Sequence, residues 1–208
     1  MFYELNKNNW KILDSLNKGN YSVNDIEFYN NNIYLATDKG MQIFSYINDI
    51  IVPNKNLKIL NNQFIYSLEI YHNKLFIGTE KGIFIYNIKD NVIDKISDNI
   101  IYDFESDSLN VYGASKNKIY NINDRNKRIY NKKNINNFCI CSDYAWINLK
   151  NEAILLNIET KQTYSYSYLD GIGSRNINYI GCDDEWAWFS TDKGLILYNW
   201  SKYHASDK

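Results

Sequence analysis

The chain has 208 residues, of which 45% are hydrophobic and 16% aromatic, so it is long enough to bury a core and too apolar to be disordered. Its net charge is −1 and only three residues are arginine (Arg125, Arg128 and Arg175), which argues against nucleic acid as a partner. The 19 tyrosines and the many isoleucines favour β-strands.

Three cysteines, Cys139, Cys141 and Cys182, and two histidines are present, without the spacing of a metal site. An odd number of cysteines is typical of a reducing compartment. The N-terminus has no basic and apolar leader, and no apolar run is long enough to cross a membrane. We therefore expect a cytoplasmic protein with no metal, no cofactor and no membrane insertion.

The chain begins with a predicted hairpin. Phe2–Leu13 aligns with the third and fourth strands of a later unit, Ile85–Ile96. Residues 1–14 are thus predicted to close a ring of repeats. Trp10–Leu13 would supply the fourth strand that the last repeat lacks. Phe2–Leu5 would then duplicate the third strand of that repeat, and the sequence assigns it no place in the ring. Such a clasp would remove an open sheet edge.

The rest of the chain is a repeat. Ile33–Gly40 recurs as Leu75–Gly82 and as Trp186–Gly194, and degenerate copies lie at Val111–Asn117 and Ala145–Glu152. The spacing of about 35 to 42 residues suits four short strands and their turns.

Within one unit, Tyr66–Tyr71, Lys74–Gly78, Ile83–Ile88 and Val92–Ile96 are predicted as four antiparallel strands joined by short polar turns. The recurring Thr-acid-Lys-Gly turn requires glycine for a positive φ. Where Glu152 replaces this glycine, we expect a remodelled turn.

The middle strands are apolar on both faces, which indicates that each sheet is covered on both sides, as in a propeller. The predicted fold is all-β: a single domain, 1–208, forming a five-bladed β-propeller of four-stranded antiparallel blades, closed by the N-terminal strand. The repeats are expected at about 22–60, 64–97, 100–131, 135–168 and 176–200, with a polar tail at 201–208.

These residues resemble the two-component-regulator type of propeller repeat, in which an aromatic and a Gly-Thr precede a turn glycine and a Tyr-Asp or Tyr-Asn. Leu75–Asn87 and Trp186–Asn199 fit the pattern, and Leu169–Ile172 resembles the Asp-Gly-Leu element that precedes an inner strand. The resemblance implies the fold. Such repeats are commonly ligand-sensing domains of membrane receptors, but this sequence shows no transmembrane or kinase segment to carry that role.

Propellers usually bind where loops gather at one end of the channel. The longest such loop, Asp170–Asn176, contains two glycines and an arginine. The charged turns between the second and third strands reach the same end. The predicted ligand- or partner-binding residues are Asp170, Ser174, Arg175, Asn176, Gln63, Asp38, Glu80 and Asp192.

The first strands of the units carry carboxylates that are expected to line the channel. Ile26-Glu27, Leu68-Glu69 and Phe104-Glu105 align, followed by Ile140-Cys141 and Gly181-Cys182. Because glycosidases use paired carboxylates, these residues carry an alternative, enzymatic hypothesis. The candidate channel carboxylates are Asp25, Glu27, Glu69, Asp103 and Glu105.

The sequence favours a non-catalytic binding or scaffolding propeller that recognises a protein partner through loops at one channel mouth. No residue is assigned a catalytic role. The alternatives are a carbohydrate-active enzyme or lectin that uses the channel carboxylates, and a small-molecule sensor domain. If these carboxylates lie far apart, or are occupied by hydrogen bonds within the protein, a binding function without catalysis is favoured.

Overall fold

A computed structural model of the chain describes residues 2–4, 9–11, 20–48, 50–54, 60–124, 127–132 and 134–204. The chain divides into two compact units, residues 1–98 and residues 99–208. Each unit is described by itself.

The first unit contains a two-stranded sheet and two four-stranded sheets, all antiparallel. The two-stranded sheet pairs β1 (Phe2–Glu4) with β2 (Asn9–Lys11). The first blade sheet is β3 (Val23–Tyr29), β4 (Asn32–Thr37), β5 (Gly40–Ile47) and β6 (Ile50–Pro53), and the second is β7 (Ile65–Tyr71), β8 (Lys74–Thr79), β9 (Gly82–Asn87) and β10 (Val92–Ser97).

The second unit contains three further antiparallel sheets. The third blade sheet is β11 (Asp103–Ser106), β12 (Val111–Ala114), β13 (Lys118–Asn121) and β14 (Lys127–Asn131). The fourth is β15 (Asn137–Cys141), β16 (Tyr144–Asn148), β17 (Glu152–Asn157) and β18 (Thr163–Ser167), and the fifth is β19 (Ile177–Cys182), β20 (Trp186–Thr191) and β21 (Gly194–Asn199).

Helix is confined to a 3₁₀ turn at Tyr168–Asp170 and to α1 (Ser201–His204). In the part of the chain that the structure describes, neither is long and apolar enough to span a bilayer. The prediction of an all-β fold with five propeller blades is confirmed, and each blade sheet lies inside one of the predicted repeats. The single domain over 1–208 stays a prediction.

The predicted ring closure by the N-terminal strand is not found. Trp10 pairs with Tyr3 inside the hairpin that the sequence predicted, and the fifth sheet has the order β19-β20-β21, with no fourth strand among the described residues. Ile12 and Leu13 lie outside the described residues. Pairing with a neighbour in sequence costs little loop-closure entropy, which favours the local hairpin over a distant sheet edge.

The recurring turn has the chemistry that the repeat predicted. The Thr37 hydroxyl donates to the Gly40 carbonyl at 2.5 Å and accepts the Lys39 N–H at 3.1 Å, while Gly40 has a φ of 111°. The turn before Glu152 is remodelled, as expected. There Asn148 accepts the backbone N–H of Lys150 at 2.7 Å, and Lys150 takes the positive φ.

Within each unit the core lies between consecutive sheets, and the fourth sheet shows why its strands are apolar on both faces. Ala145 and Ile147 pack in a cluster with side chains of the third sheet, including Tyr112 and Ile119. Trp146, on the opposite face, packs in a cluster with residues of the fifth sheet. In the first unit, Tyr34 and Met41 of the first sheet meet Leu68 and Leu75 of the second.

Hydrogen bonds also join the first strands of consecutive sheets within each unit. Asp25 accepts the backbone N–H of Leu68 at 2.7 Å, and Asp103 accepts that of Phe138 at 3.0 Å. The Asn137 side-chain amide acts both as acceptor and as donor: it accepts the Ile180 N–H at 3.3 Å and donates to the Ile180 carbonyl at 2.9 Å. We call these contacts the strand clasp. They align each sheet on the next.

The strand clasp corrects the predicted alignment of the first strands. Asp103 binds the N–H of Phe138, so Phe138-Cys139, and not Ile140-Cys141, is equivalent to Phe104-Glu105. In the fifth sheet the equivalent pair is Ile180-Gly181. In the fourth sheet the offset is two residues, which keeps the same strand face, so the sequence pattern did not reveal it. In the fifth sheet the offset from Gly181-Cys182 is one residue.

A disulfide joins Cys141, at the end of β15, to Cys182, at the end of β19, with a Cα–Cα distance of 6.1 Å. The prediction of reduced cysteines is therefore wrong. Only Cys139 is left as a buried free thiol in the described chain. An odd cysteine count does not exclude one bridge, because two sheets that pack face to face bring residues 41 positions apart within bonding distance.

The strand clasp leads to a stability prediction. Asp103→Ala removes the acceptor of the Phe138 N–H and should lower the free energy of unfolding by about 1–3 kcal/mol, because a buried donor loses its charged partner. Asp103→Asn should lower it less, since an amide oxygen still accepts. Urea denaturation measures both. The control is Asp94→Ala, on the exposed side of β10; equal losses for Asp94→Ala and Asp103→Ala would contradict the clasp.

The disulfide leads to a second prediction. Closing a loop of 41 residues should stabilise the fold by about 3–4 kcal/mol through the entropy of the unfolded chain. Reductant should therefore lower the melting temperature of the native chain and of Cys139→Ala alike, but not that of Cys182→Ala. Differential scanning fluorimetry with and without dithiothreitol checks this. Sensitivity to reductant in Cys182→Ala would show that Cys141–Cys182 is not the stabilising bridge.

Candidate functional site

The candidate site is the connection between the fourth and fifth sheets, residues 168–176, which we call the 168–176 loop. It begins with the 3₁₀ turn that Ser167 caps. Asp170 accepts hydrogen bonds from the Ser167 backbone N–H and hydroxyl, each at 2.8 Å, and these bonds lower the pKa of Asp170. Gly171 then takes a φ of 100°, which ends the turn.

The far end of the loop is fastened to the turn between β20 and β21. The Ser174 hydroxyl, only 1% exposed, donates a short hydrogen bond to Asp192, and the Asn176 amide donates to the same carboxylate at 3.3 Å. The Ser174 and Asn176 bonds are the main reason that the pKa of Asp192 is lowered. The loop is therefore held at both ends by carboxylates.

Between these two anchors the loop exposes apolar and cationic groups. Leu169 is 89% exposed and Tyr168 is 43% exposed. Two cations approach the Tyr168 ring: the Arg175 guanidinium lies 5.8 Å and the Lys193 ammonium 5.6 Å from its centroid. Such distances suit cation–π contacts, which hold Arg175 over the ring.

The loop thus brings together five of the eight predicted binding residues, with different roles. Asp170, Ser174, Asn176 and Asp192 hold the backbone, and Arg175 is presented outward. Sequence reasoning missed Tyr168, Leu169 and Lys193 as members of the site. The signal that could have found Tyr168 and Leu169 is the placement of two large apolar residues directly before an Asp-Gly turn.

A cavity of about 130 Å³ lies beside the loop. Aromatic and aliphatic side chains line it, and Asp170 is its charged residue. The lining residues are Tyr166, Asp170, Gly171, Ile172, Phe189, Ile196, Leu197 and Tyr198. It is smaller than the roughly 300–1,000 Å³ of pockets that enclose a drug-sized ligand.

The other three predicted binding residues lie in the first unit, where the two acids fasten chain segments. Asp38 accepts the Ser22 N–H at 2.8 Å, and Glu80 accepts the Phe64 N–H at 3.4 Å. Each acid therefore ties down the segment before the first strand of its own sheet, as Asp192 does. The Gln63 side-chain oxygen is buried and has no hydrogen-bond partner in the described part of the chain.

The candidate channel carboxylates divide by unit. Asp25, Glu27 and Glu69 belong to the first unit. Burial, together with the charges of Glu69 and Asp25, raises the pKa of Glu27 to about 7. Burial also raises the pKa of Asp25, although its bonds to the Leu68 and Ile26 N–H groups oppose this shift. Asp25 is thus capped by backbone donors.

Asp103 and Glu105 belong to the second unit and lie near Cys139. Burial is the main cause of the raised pKa of the Cys139 thiol, and the charges of Glu105 and Asp103 add to it. A thiol held in its protonated form is a poor nucleophile and a poor metal ligand.

The residues with the chemistry to hold a metal are the three cysteines, whose sulfur atoms lie within 4.8 Å of one another. Two of them form the disulfide, and the third is the protonated Cys139. Since metals bind thiolates, this arrangement does not fit a metal ion.

Comparison with known proteins supports the fold. No known family model and no characterised protein sequence matches the chain. Among solved structures, the extracellular domain of the putative hybrid two component system BT4673 from B. thetaiotaomicron superposes with a TM-score of 0.69 at 16% identity, over 86% of this chain and 27% of that one. The corresponding domain of BT3049 from the same organism gives 0.64 at 13% identity, over 87% and 29%. U3-55K gives 0.66 at 12% identity, over 88% and 62%.

The chain is thus a β-propeller similar to the extracellular domains of two-component systems, which confirms at the level of fold the resemblance seen in the repeats. It spans less than a third of the length of these two extracellular domains. The prediction of a cytoplasmic protein is corrected, because these structural neighbours are extracellular domains. The Cys141–Cys182 disulfide agrees with that correction, since such bonds persist in oxidising compartments.

The raised pKa of Glu27 predicts a pH dependence of stability. The folded chain holds this proton up to about pH 7, whereas the unfolded chain loses it near the ordinary glutamate pKa of 4.5. The stabilisation is therefore complete below pH 4.5 and is lost as the pH rises through 7. Because Glu27 is partly exposed, we expect a loss of about 1–2 kcal/mol between pH 5 and pH 8.

Glu27→Gln should remove this dependence, because the amide does not titrate. Urea denaturation at pH 5 and pH 8 measures the difference, with the exposed Glu159→Gln as the matched control. If Glu27→Gln shows the same loss of stability as the native chain, Glu27 is not the group that titrates.

Proposed function

We propose that this chain is a non-catalytic binding domain that recognises a protein partner through the 168–176 loop. The observation that carries the proposal is that the backbone of this loop is held in place while several of its side chains are exposed. Its backbone is fastened by Ser174, Asp170 and Asp192, while Leu169, Tyr168 and Arg175 are exposed. A rigid loop that displays apolar and cationic groups loses little entropy on binding.

The exposed groups have the chemistry of a protein interface. Tyrosine and arginine are enriched among the residues that contribute most to binding at such interfaces. Leu169, at 89% exposure, adds an apolar side chain that only a partner would cover. The small volume of the neighbouring cavity favours a protein surface over an enclosed small molecule.

The carboxylates support a structural role and not acid–base catalysis. Asp25 and Asp103 accept backbone N–H groups of the next sheet, so one oxygen of each carboxylate is engaged in the strand clasp. A general acid or base must instead face a substrate within hydrogen-bonding distance. This engagement weighs against the glycosidase alternative at two of its five candidate residues.

A sensing role outside the cytoplasm is the form of binding that we favour. Two structural neighbours are extracellular domains of two-component systems. The disulfide between the fourth and fifth sheets suits an oxidising compartment and fixes the sheets on either side of the 168–176 loop.

The test is partner capture from the native source, followed by affinity measurement. Leu169→Ala, Tyr168→Ala and Arg175→Ala should each weaken binding by about 1–3 kcal/mol, as truncation of an interface anchor does. Glu159→Ala, in the exposed turn between β17 and β18, is the matched control and should bind normally. Mass spectrometry identifies the partner, and biolayer interferometry measures the affinities.

The enzymatic alternative makes the opposite prediction. A glycosidase would hydrolyse a member of a glycan panel and lose that turnover in Glu69→Gln, with little effect from Arg175→Ala. Hydrolysis abolished by Glu69→Gln would overturn the binding proposal. Capture that is unchanged in all three loop variants would also overturn it.

A further inference from the structure

The second unit holds a free thiol beside its disulfide. The Cys141–Cys182 bridge joins the fourth sheet to the fifth, and Cys139 is the buried free cysteine. The three sulfur atoms all lie within 4.8 Å of one another. Cys139 and Cys141 are buried members of the apolar cluster between the two sheets, and Cys182 packs against it. We call these three residues the cysteine triad.

Hydrogen bonds between β15 and β19 show how the two strands lie against each other. The Asn137 side chain bonds both the N–H and the carbonyl of Ile180. Farther along, the Ser142 hydroxyl donates to Asp184 at 2.8 Å. Because residue numbers increase together from the first contact to the second, the two strands run side by side in the same direction.

This alignment brings Cys139 close to Cys182. Cys139 is two residues beyond Asn137, and Cys182 is two residues beyond Ile180. Equal steps along two strands that run in the same direction end at neighbouring positions, with the side chains on the same faces as at the start. Cys182 thus lies near both cysteines of β15, and it forms its bridge with Cys141.

The two cysteines of β15 are poor partners for each other. Cys139 and Cys141 are two residues apart on one face of an extended strand, which holds their Cα atoms about 6.4–6.8 Å apart. That separation is at the upper end of the range that a disulfide spans. Cys182 comes from the opposite sheet, so it is the common partner for which the two compete.

We propose that the cysteine triad is a thiol–disulfide exchange site, in which the bridge from Cys182 moves between Cys141 and Cys139. The Cys139 thiol gives up its proton, and the resulting thiolate attacks the Cys182 sulfur. A Cys139–Cys182 bond forms as the Cys141–Cys182 bond breaks, and the Cys141 sulfur leaves as a thiolate that takes up a proton. One disulfide and one thiol are present before and after, so the step needs no oxidant or reductant.

The surroundings of Cys139 control the rate of this exchange. Burial raises the pKa of the Cys139 thiol, and the charges of Glu105 and Asp103 on the third sheet raise it further. Only the thiolate attacks a disulfide, so exchange is slow at neutral pH and becomes faster as the pH rises. Cys182 is bonded in both forms, and the fourth and fifth sheets therefore stay joined. The exchange is independent of partner binding by the 168–176 loop.

The native full chain tests the exchange without any substitution. The chain is incubated at about pH 7 and about pH 9 and then unfolded in guanidinium chloride at about pH 4, where thiols are protonated and exchange stops. N-ethylmaleimide marks the free cysteine, and mass spectrometry of peptides locates the label. We expect label on Cys139 at the start and, after incubation at about pH 9, at least about a tenth of it on Cys141. This redistribution should be slower at about pH 7.

Cys141→Ser provides a second arm, because it leaves Cys139 as the partner for Cys182. The unfolded variant should contain no free thiol, and a peptide map without reductant should show a Cys139–Cys182 bridge. Cys182→Ser is the matched control: it removes the common partner and should leave two free thiols. Circular dichroism establishes that the variants fold. If Cys141→Ser does not fold, Cys141→Ala replaces it, and the native-chain experiment decides by itself.

Three results would overturn the proposal. Label that stays on Cys139 after incubation at about pH 9 would show that the bridge does not move. Label on Cys182 would mean that Cys139 had bonded to Cys141 instead. Two free thiols in a folded Cys141→Ser chain would show that Cys139 does not reach Cys182.

Discussion

Within each unit, the fold depends on how one sheet is aligned on the next, and a hydrogen bond between the first strands of the two sheets contributes to this alignment. Asp25, Asp103 and Asn137 each accept a backbone N–H of the following sheet. Apolar packing is strong but non-directional, so it brings two sheets together without fixing their offset. A carboxylate or amide that must satisfy one particular N–H admits a single offset, and the side-chain clusters between the sheets follow from it.

The same constraint gives the carboxylates of the first strands a structural role. An aspartate that accepts a backbone donor is held in place by that bond. Glu27 is in a different position, since burial and its acidic neighbours make ionisation costly. A chain can thus carry aligned acidic residues for reasons of packing alone, and their alignment in the sequence is poor evidence for catalysis.

In the second unit, three interactions hold the 168–176 loop and the sheets that it connects. The Cys141–Cys182 disulfide joins the two sheets that the loop connects, Asp170 closes the 3₁₀ turn, and Asp192 holds Ser174. The side chains of Tyr168, Leu169 and Arg175 take no part in these three interactions. This arrangement separates the residues that shape the loop from those that are free to meet a partner, and it supports a binding role for the loop.

Local patterns in the sequence determined the number of sheets, their strands and their turns, because the Thr-acid-Lys-Gly turn and the short apolar runs that flank it are short-range features. The loop that gathers five predicted site residues was found in the same way, from its glycines and Arg175. The pairing of Cys141 with Cys182 and the partners of Asp103 and Asn137 were decided only in three dimensions. These depend on contacts between residues about 35 to 43 positions apart or more, where a strand can be offset by two residues without changing its apolar face.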